Sequence, residues 1–275
     1  MRLAANATPG QRLAYAALWA HLALVMIFLV APIVAIAPLS FSSGSFLYYP
    51  LPGLSLRWYA DFFTSEFWLP ALANSAIVGV AATALATTLG TLAALGLWLA
   101  PFPGKAIVVA VLLAPMVVPI IVVAVGVYFA FAQAGLANTR LGLVLAHTAL
   151  AAPFVVVTVQ ATLAGFDRSL MRAAASLGAP PATAFRRVML PLIVPGVVSG
   201  ALFAFATSFD EVVVAFFLAG PGQRTLPRQM FAGINENISL TITAAASLLV
   251  ILSIALMAAV EHLRRRGERL RLGRR

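Results

Sequence analysis

Two adjacent acidic residues, Asp210 and Glu211, lie in an otherwise apolar stretch of this chain. An ionisable group in an apolar environment is costly unless it is paired or faces water, so such groups commonly mark a solute pathway. The aromatic residues Phe205 and Phe209 precede the acids, and a carboxylate beside aromatic rings suits an amine through charge attraction and cation–π contact. These four residues are therefore the candidate pathway residues. The alternative is a structural ion pair or hydrogen bonds to another helix.

The two acids are expected to have different surroundings. Neighbouring residues on a helix are about 100° apart, so the two carboxylates cannot face the same point. A helix rising about 1.5 Å per residue from Pro195 at the inner face places Asp210 about 22 Å away, in the outer half of the bilayer. Because of this depth we expect Asp210 to face the pathway. Glu211 is expected to lie against a partner helix or at the mouth.

No other set of residues has a catalytic or metal-binding pattern. Cysteine is absent, and His21, His147 and His262 do not have the spacing of metal ligands. The Gly104-Lys105 pair lacks the upstream glycine of a phosphate-binding loop. An intramembrane enzyme would need a nucleophile–base pair or metal ligands, and the sequence indicates neither. We therefore expect a non-enzymatic chain without a metal site, in which His147 is packed or interfacial.

The composition is that of a membrane protein. Hydrophobic residues make up 62% of the chain and charged residues 9%, whereas soluble domains contain about a quarter charged residues. The net charge of +10 does not indicate nucleic acid, because the basic residues lie between apolar segments and form no patch interleaved with aromatic residues. The sequence therefore predicts an all-α, polytopic membrane protein.

Charged residues divide the sequence into six apolar segments, each long enough for a spanning helix of about 20 residues. The expected helices lie near 14–38, 70–99, 106–132, 141–164, 194–219 and 240–261. They form a single transmembrane domain over 1–275, with a basic tail at 262–275 that suits the anionic inner leaflet.

The distribution of Lys and Arg predicts the orientation. Fourteen of the 18 basic residues lie in the N-terminal tail, the turn at Lys105, the 166–192 segment and the C-terminal tail. Because cytoplasmic loops carry the excess of Lys and Arg, both termini and the 166–192 segment are predicted to be cytoplasmic.

Prolines and glycines indicate irregular, closely packed helices. Prolines at 115, 119, 153 and 195 fall inside or at the ends of the expected helices. A proline within a membrane helix is tolerated only where neighbouring helices or water satisfy the carbonyl groups that it leaves without a partner. Such helices tend to line a cavity. Gly196 and Gly200 have the spacing that permits close contact between two membrane helices.

A polar, basic segment from Leu170 to Pro191 separates two of the apolar segments. Its alanine run favours helix, Gly178 supplies a left-handed residue that ends such a helix, and Pro181 suits the first turn of the next helix. The segment is therefore predicted to form a short helix, a turn and a second short helix.

The same segment resembles the cytoplasmic docking loop of ABC importer permeases. In that family the pattern is Glu-Ala-Ala, three residues, Gly, nine residues, an aliphatic residue, one further residue, then Leu-Pro. This sequence has matching residues at Ala173, Ala174, Gly178, Val188, Leu190 and Pro191. The first position departs from the pattern, because Arg172 stands where the family has Glu. The resemblance implies that these seven residues form the site on which an ATPase docks.

Residues 208–221 and 225–231 extend the likeness. They look like the second permease of spermidine/putrescine ABC importers, and the Asn74-Ser75 pair also fits. This resemblance implies a bacterial inner-membrane permease that moves polyamines. It further implies an ABC ATPase dimer carrying ATP and Mg, a second permease, and a periplasmic or lipid-anchored solute-binding protein as partners, with no cofactor in this chain and no nucleic acid.

Three alternatives stay open at this stage. Related permeases for 4-aminobutyrate, opines or similar small cations share parts of the pattern. An ion-coupled secondary transporter would usually carry coupling-ion acids and an internal repeat, and the sequence shows no clear repeat. A purely structural membrane subunit would not need the spacing of the 166–192 segment.

Overall fold

The computed structural model describes the backbone of residues 8–236 and 239–272 and the side chains of residues 8–234 and 239–258. Across these residues the regular structure is helical, with one isolated bridge between Ser42 and Leu54, so the all-α prediction is confirmed. The helices are α1 (Pro9–Ile36), α2 (Arg57–Thr64), α3 (Trp68–Leu99), α4 (Lys105–Val117), α5 (Ile120–Gln133), α6 (Arg140–Ala164), α7 (Ser169–Ser176), α8 (Pro181–Ala184), α9 (Leu190–Phe209), α10 (Val213–Leu218), α11 (Leu226–Glu236) and α12 (Thr241–Leu272).

The described residues form two compact units. The first comprises 8–64 and 239–249 and contains α1, α2 and the start of α12. In this unit α2 packs Phe62 into a fully buried position, and Trp58 donates a 2.8 Å hydrogen bond from Nε1 to the carbonyl oxygen of Ser42. Thr241 donates its hydroxyl to the Asp61 carboxylate. The second unit comprises 65–236 and 250–272 and contains α3 to α11.

Three long helices form the core of the second unit, and their side-chain contacts fix their directions. Arg140 donates a 3.0 Å hydrogen bond from Nε to Oδ1 of Asn74, which joins the start of α6 to the start of α3. At the other ends the rings of Trp98 and Phe166 meet with centroids 5.6 Å apart. Helices α3 and α6 are therefore parallel, and we refer to the two ends as the Asn74 end and the Trp98 end.

Helix α9 runs antiparallel to α6. A Cβ atom on Gly196 would clash with the side chain of Thr162, and one on Gly200 would lie 3.0 Å from Cα of Val155. Farther along, Ser208 of α9 meets His147 of α6. The two glycines therefore bring α9 against α6 as their spacing predicted, because there is no room for a side chain at either position.

The expected single helix over 106–132 is wrong, because the chain breaks there into α4 and α5 with a bend of 106°. Pro119 lacks an amide hydrogen and disfavours helical backbone at the residue before it. Val118 accordingly adopts an extended conformation with φ −71° and ψ 134°.

The bent pair nevertheless counts as one crossing of the unit. Because α3 and α6 are parallel, the chain between them must return from the Trp98 end to the Asn74 end. The described residues contain five helices long and apolar enough to span a membrane, and six when the bent pair is one span. The direction of α3 and α6 supports six.

The expected helix over 194–219 is also corrected. Helix α9 begins at Leu190, directly after a π-helical turn at Phe185–Met189, and ends at Phe209. The chain then breaks before α10 because the Glu211 carboxylate accepts the amide hydrogens of Val214 and Ala215, at 2.8 and 2.9 Å. A side chain that bonds to the backbone in this way competes with continuation of the preceding helix. Helix α12 extends to Leu272, beyond the expected end at 261, and the side chains of the basic tail lie outside the described residues.

Candidate functional site

The 166–192 segment forms a helix, a tight turn and a second short helix. Gly178 adopts the left-handed conformation with φ +78° directly after α7. The amide of Gly178 donates to the carbonyl oxygen of Ala175 at 2.9 Å, and Ala179 donates to that of Ala174 at 3.0 Å. These bonds satisfy carbonyl groups that the end of α7 would otherwise leave open. Pro181 then begins α8.

The residues of the motif lie on both sides of this turn. Arg172, Ala173, Gly178 and Pro191 are exposed, whereas Ala174, Val188 and Leu190 are half-buried. The motif does not include Leu177, which closes α7 and is 88% exposed. This apolar side chain lies at the tip of the turn, and the sequence pattern alone did not single it out.

The start of α7 is joined to the end of α3. Arg168 lies with its guanidinium carbon 4.4 Å from the ring centroid of Trp98, and its Nη2 donates a 2.7 Å hydrogen bond to the Trp98 carbonyl oxygen. Lys105 also donates to a carbonyl oxygen at this end of α3, that of Leu97. Two cations thus satisfy carbonyl groups at the C-terminus of α3, where the helix dipole favours positive charge.

Asp167 orders the first turn of α7. Its two carboxylate oxygens accept the amide hydrogen and the hydroxyl of Ser169, at 2.8 and 2.7 Å. These hydrogen bonds lower the pKa of the Asp167 carboxyl, and the positive charge of Arg172 contributes in the same direction. Arg172, at the position where the resemblance expects Glu, therefore has an acidic neighbour within its own segment.

A cavity of about 680 Å³ lies at the Trp98 end between α6, α7 and α9. Hydroxyl groups, one carboxylate and apolar side chains line it. The lining residues are Thr158, Ala161, Thr162, Gly165, Phe166, Asp167, Leu170, Leu192, Pro195, Gly196 and Ser199. Pro195 and Gly196 of α9 lie on this cavity, as expected for a proline in a membrane helix.

The two adjacent acids diverge at the break after α9. Asp210 is the C-cap of α9, donates its amide hydrogen to the carbonyl oxygen of Ala206 at 3.1 Å, and is exposed. Glu211 is buried, with 8% of its surface exposed, and turns towards α6 and α10 of its own chain. The acids are therefore placed by a chain break and not by a continuous helix.

The aromatic candidates pack against α3. The rings of Phe205 and Phe209 stack with centroids 5.2 Å apart, next to Gly79. A Cβ atom on Gly79 would lie 3.3 Å from the Phe205 ring, so the missing side chain makes room for the pair. Phe209 is buried and Phe205 is half-buried, so of the four candidate pathway residues Asp210 is the exposed one.

The structure adds a buried polar cluster that the sequence did not predict. His147 of α6 is fully buried, and its Nδ1 lies 2.8 Å from Oγ of Ser208. Its Nε2 lies 3.7 Å from Oε2 of Glu211. Ser208 lies in the last turn of α9 and Glu211 in the break after it, and their pairing with a histidine 61 residues away from Ser208 has no local signal.

The Asn74 end is held by a second polar cluster. Asn74 donates from Nδ2 to the carbonyl oxygens of Gly222 and Arg224, at 3.0 and 3.1 Å, and accepts from Arg140. Ser75 accepts the amide hydrogen of Leu226 at 2.7 Å. The loop between α10 and α11 is thereby fixed to α3. Within the described residues no group of three or more His, Asp or Glu side chains is placed to hold a metal ion.

Comparison with known proteins places this arrangement among membrane components of transport systems. The family model described as "Binding-protein-dependent transport system inner membrane component" matches residues 86–269. The chain is 33% identical over 250 residues to the spermidine/putrescine transport system permease protein PotC of Haemophilus influenzae, covering 90% of this chain and 96% of that protein. It is 32% identical over 230 residues to the putrescine transport system permease protein PotI of Escherichia coli, covering 81% and 82%.

Solved structures give the same fold. A chain from the crystal structure of a bacterial ABC transporter that imports the acidic polysaccharide alginate aligns with a TM-score of 0.75 at 15% identity, over 94% of this chain and 99% of that one. A chain of the alginate transporter in complex with an alginate pentasaccharide-bound periplasmic protein aligns with a TM-score of 0.69 at 17% identity, over 92% and 94%.

Proposed function

We propose, from the premise that this chain belongs to the family of binding-protein-dependent transport system inner membrane components, that it is the permease subunit of an ATP-driven importer of polyamines. The observation that carries the polyamine assignment is the 33% identity to a spermidine/putrescine permease over nearly the full length of both chains. The chain is a multi-pass inner-membrane protein and a transport component. The solute, the partners and the orientation that follow are parts of this proposal.

Asp210 gives the physical reason for a cationic solute. It is exposed at the end of α9, while its neighbour Glu211 is buried in the protein. A single carboxylate that faces the pathway lowers the cost of passing a cation through a low-dielectric passage without holding it so tightly that release becomes limiting. High affinity then belongs to the solute-binding protein. Phe205 and Phe209 support α9 behind Asp210, since their rings stack against α3.

The 166–192 segment is the proposed docking site for an ABC ATPase dimer. Ala173, Ala174 and Gly178 allow close approach of a partner surface, and the exposed Leu177 offers an apolar anchor. Val188, Leu190 and Pro191 continue this segment into α9. Arg172 stands where the family pattern has Glu, so its partner on the ATPase must be an acidic group or a carbonyl oxygen. ATP and Mg bind to the ATPase, and this chain holds no cofactor.

The remaining partners complete the pathway. A second permease supplies the other half of the passage, and a periplasmic or lipid-anchored solute-binding protein delivers the polyamine. The 166–192 segment and both termini face the cytoplasm in this proposal, because 14 of the 18 Lys and Arg residues lie in these segments and the turn at Lys105. The Asn74 end then faces the binding protein.

The direction of the helices suggests how the parts work together. Closure of the ATPase dimer moves the 166–192 segment, which continues directly into α9 and is joined to α3 through Arg168 and Trp98. Moving these elements together opens one end of the passage as the other closes, which is alternating access. Asp210 lies at the far end of α9 from the ATPase, so the same helix links the docking segment to the proposed solute contact.

The test compares two substitutions at one position in the complete importer. Membrane vesicles carrying the ATPase, both permeases and the binding protein are given spermidine, and uptake is measured for the unchanged chain, Asp210→Asn and Asp210→Glu. We expect about tenfold slower uptake for Asp210→Asn and near-normal uptake for Asp210→Glu, because only the latter keeps the charge. Unchanged uptake in Asp210→Asn, at equal assembly and equal binding-protein affinity, would exclude Asp210 from the pathway. Absence of spermidine uptake in the unchanged importer would exclude the polyamine assignment.

A further inference from the structure

His147 of α6 contacts the chain on both sides of Asp210, at Ser208 and at Glu211. We call these three residues the His147 cluster. The imidazole of His147 reaches Ser208 in the last turn of α9 through Nδ1 and Glu211 in the break through Nε2. All three side chains are buried, with exposed fractions of 0%, 5% and 8%. His147 of α6 thus contacts two residues that flank Asp210 in the sequence.

The geometry explains why fixing Ser208 and Glu211 fixes the direction of Asp210. Ser208 in the last turn of α9 and Glu211 in the break after it both face α6, because each side chain meets His147. Asp210 is two residues after Ser208, about 200° around the helix axis, and therefore points to the opposite side. Its exposure agrees with this geometry. Rotation of the last turn of α9 would move Asp210 and break the Ser208 contact together.

The cluster is held asymmetrically. Both carboxylate oxygens of Glu211 already accept amide hydrogens of α10, so the side chain is held firmly by the helix that follows. Nε2 of His147, by contrast, is buried without a hydrogen-bond partner, since Glu211 lies 3.7 Å away. A buried polar atom without a hydrogen-bond partner lowers the stability of the folded protein. An apolar side chain at this position would pack without that cost. A fully buried imidazole here needs another reason.

We infer that His147 is a positioning residue for solute transfer, which holds the end of α9 against α6 through Ser208 and Glu211 and so keeps Asp210 directed away from α6. The inference rests on the proposed function, because Asp210 matters only where a solute passes it. It assigns no solute contact to His147, which is enclosed by protein on all sides.

A double-mutant cycle separates positioning from packing. A residue that acts through Asp210 has little effect once the Asp210 carboxylate is gone, whereas a residue that only stabilises the fold reduces transport by the same factor in either background. The cycle uses His147→Leu and Asp210→Asn, alone and together, in the complete importer. Spermidine uptake is divided by the amount of assembled complex, so that loss of protein does not count as loss of rate.

We expect His147→Leu to slow uptake per complex about fivefold or more in the unchanged background and by less than about twofold beside Asp210→Asn. His147→Gln is the rescue variant, because its amide nitrogen reaches the region of Nε2 and can donate to Glu211. It should transport at more than about half the normal rate. Ser208→Ala tests the other contact and should also lose its effect beside Asp210→Asn.

Each outcome bears on one claim. Equal factors for His147→Leu in both backgrounds, or normal uptake in His147→Leu, overturn the inference while leaving the proposed function intact. If His147→Leu does not assemble, the cycle is run with Ser208→Ala and judged by the same criterion. Failure of the unchanged importer to take up spermidine counts against the proposed function instead.

Discussion

Arg168 and Trp98 join the 166–192 segment to the core: the guanidinium stacks on the indole ring at 4.4 Å and donates a 2.7 Å hydrogen bond to the Trp98 carbonyl oxygen. The indole in turn meets the ring of Phe166 edge-on. The Arg168 side chain thus joins α7 to α3, in addition to the direct continuation of the chain into α9. From this contact we predict that the coupling of ATP hydrolysis to transport depends on the shape of the cation at position 168 as well as on its charge.

Arg168→Lys tests this contact. A lysine ammonium cannot stack on the ring and bond to the carbonyl oxygen with the same planar geometry. Loss of an exposed cation–π contact of about 0.5–1 kcal/mol corresponds to about a two- to fivefold loss of spermidine taken up per ATP hydrolysed. The measurement is uptake and ATPase activity of the same vesicles. Arg187 is exposed on the π-helical turn, so Arg187→Lys is the matched control and should keep the normal ratio of spermidine uptake to ATP hydrolysis. The same ratio in both variants would contradict a role of Arg168 in coupling.

Gly178→Val should separate ATP hydrolysis from transport. The backbone at Gly178 has φ +78°, and a Cβ atom there would meet no atom within 4 Å, so we expect the substitution to act through backbone conformation. A left-handed residue other than glycine costs about 1–2 kcal/mol, and a β-branched residue costs more. We expect less spermidine taken up per ATP hydrolysed and weaker ATPase binding in a pull-down, with normal membrane insertion. Gly178→Asn is the control, because Asn tolerates this conformation, and it should retain activity. Normal uptake by Gly178→Val would contradict the proposal that an ATPase docks on this turn.

Gly200→Ala should destabilise the contact between α6 and α9. The added Cβ atom would lie 3.0 Å from Cα of Val155, a backbone atom that cannot move without shifting α6. Overpacking of this kind costs about 1–3 kcal/mol, so the melting temperature of the purified importer should fall by several degrees. Gly126→Ala, where an added Cβ meets nothing within 4 Å, should leave it unchanged. Equal melting temperatures for the two variants would show that α6 and α9 are not in the described contact.

Asn74→Asp distinguishes the two functions of the Asn74 amide. The aspartate keeps an acceptor for Arg140 but loses the donor that binds the carbonyl oxygens of Gly222 and Arg224. We expect the loop between α10 and α11 to become susceptible to trypsin at Arg224 and Arg228, while α6 stays attached to α3. The cleavage rate of the purified importer measures this. Ser75→Ala removes the neighbouring contact to Leu226 and should give a smaller increase. An unchanged cleavage rate in Asn74→Asp would rule out the amide as the tether.

Local signals predicted much of this molecule. The fixed spacing from Ala173 to Pro191 indicated a helix, a left-handed glycine and a second helix, because each step depends on backbone preferences of neighbouring residues. The glycine pair at 196 and 200 indicated close helix contact for the same reason. Hydropathy located the apolar segments but not the breaks at Val118 and Asp210, because apolar residues flank both positions.

What the sequence did not predict depends on contacts between distant segments. The pairing of His147 with Ser208 and Glu211 joins α6 to the end of α9, and nothing near His147 in the sequence indicates it. The stacking of Arg168 on Trp98 joins residues 70 positions apart. The break at Asp210 arises because the Glu211 side chain bonds to α10, a competition between side chain and helix that periodicity does not register.

The most direct test of the central claim is reconstitution of the purified complex in lipid vesicles. The complex contains this chain, the second permease and the ATPase dimer, with the spermidine-loaded binding protein supplied on the side of the Asn74 end. We expect spermidine accumulation that requires ATP on the opposite side, requires the binding protein and is unaffected by dissipating ion gradients. Accumulation driven by an ion gradient without ATP, or accumulation by this chain alone, would contradict it.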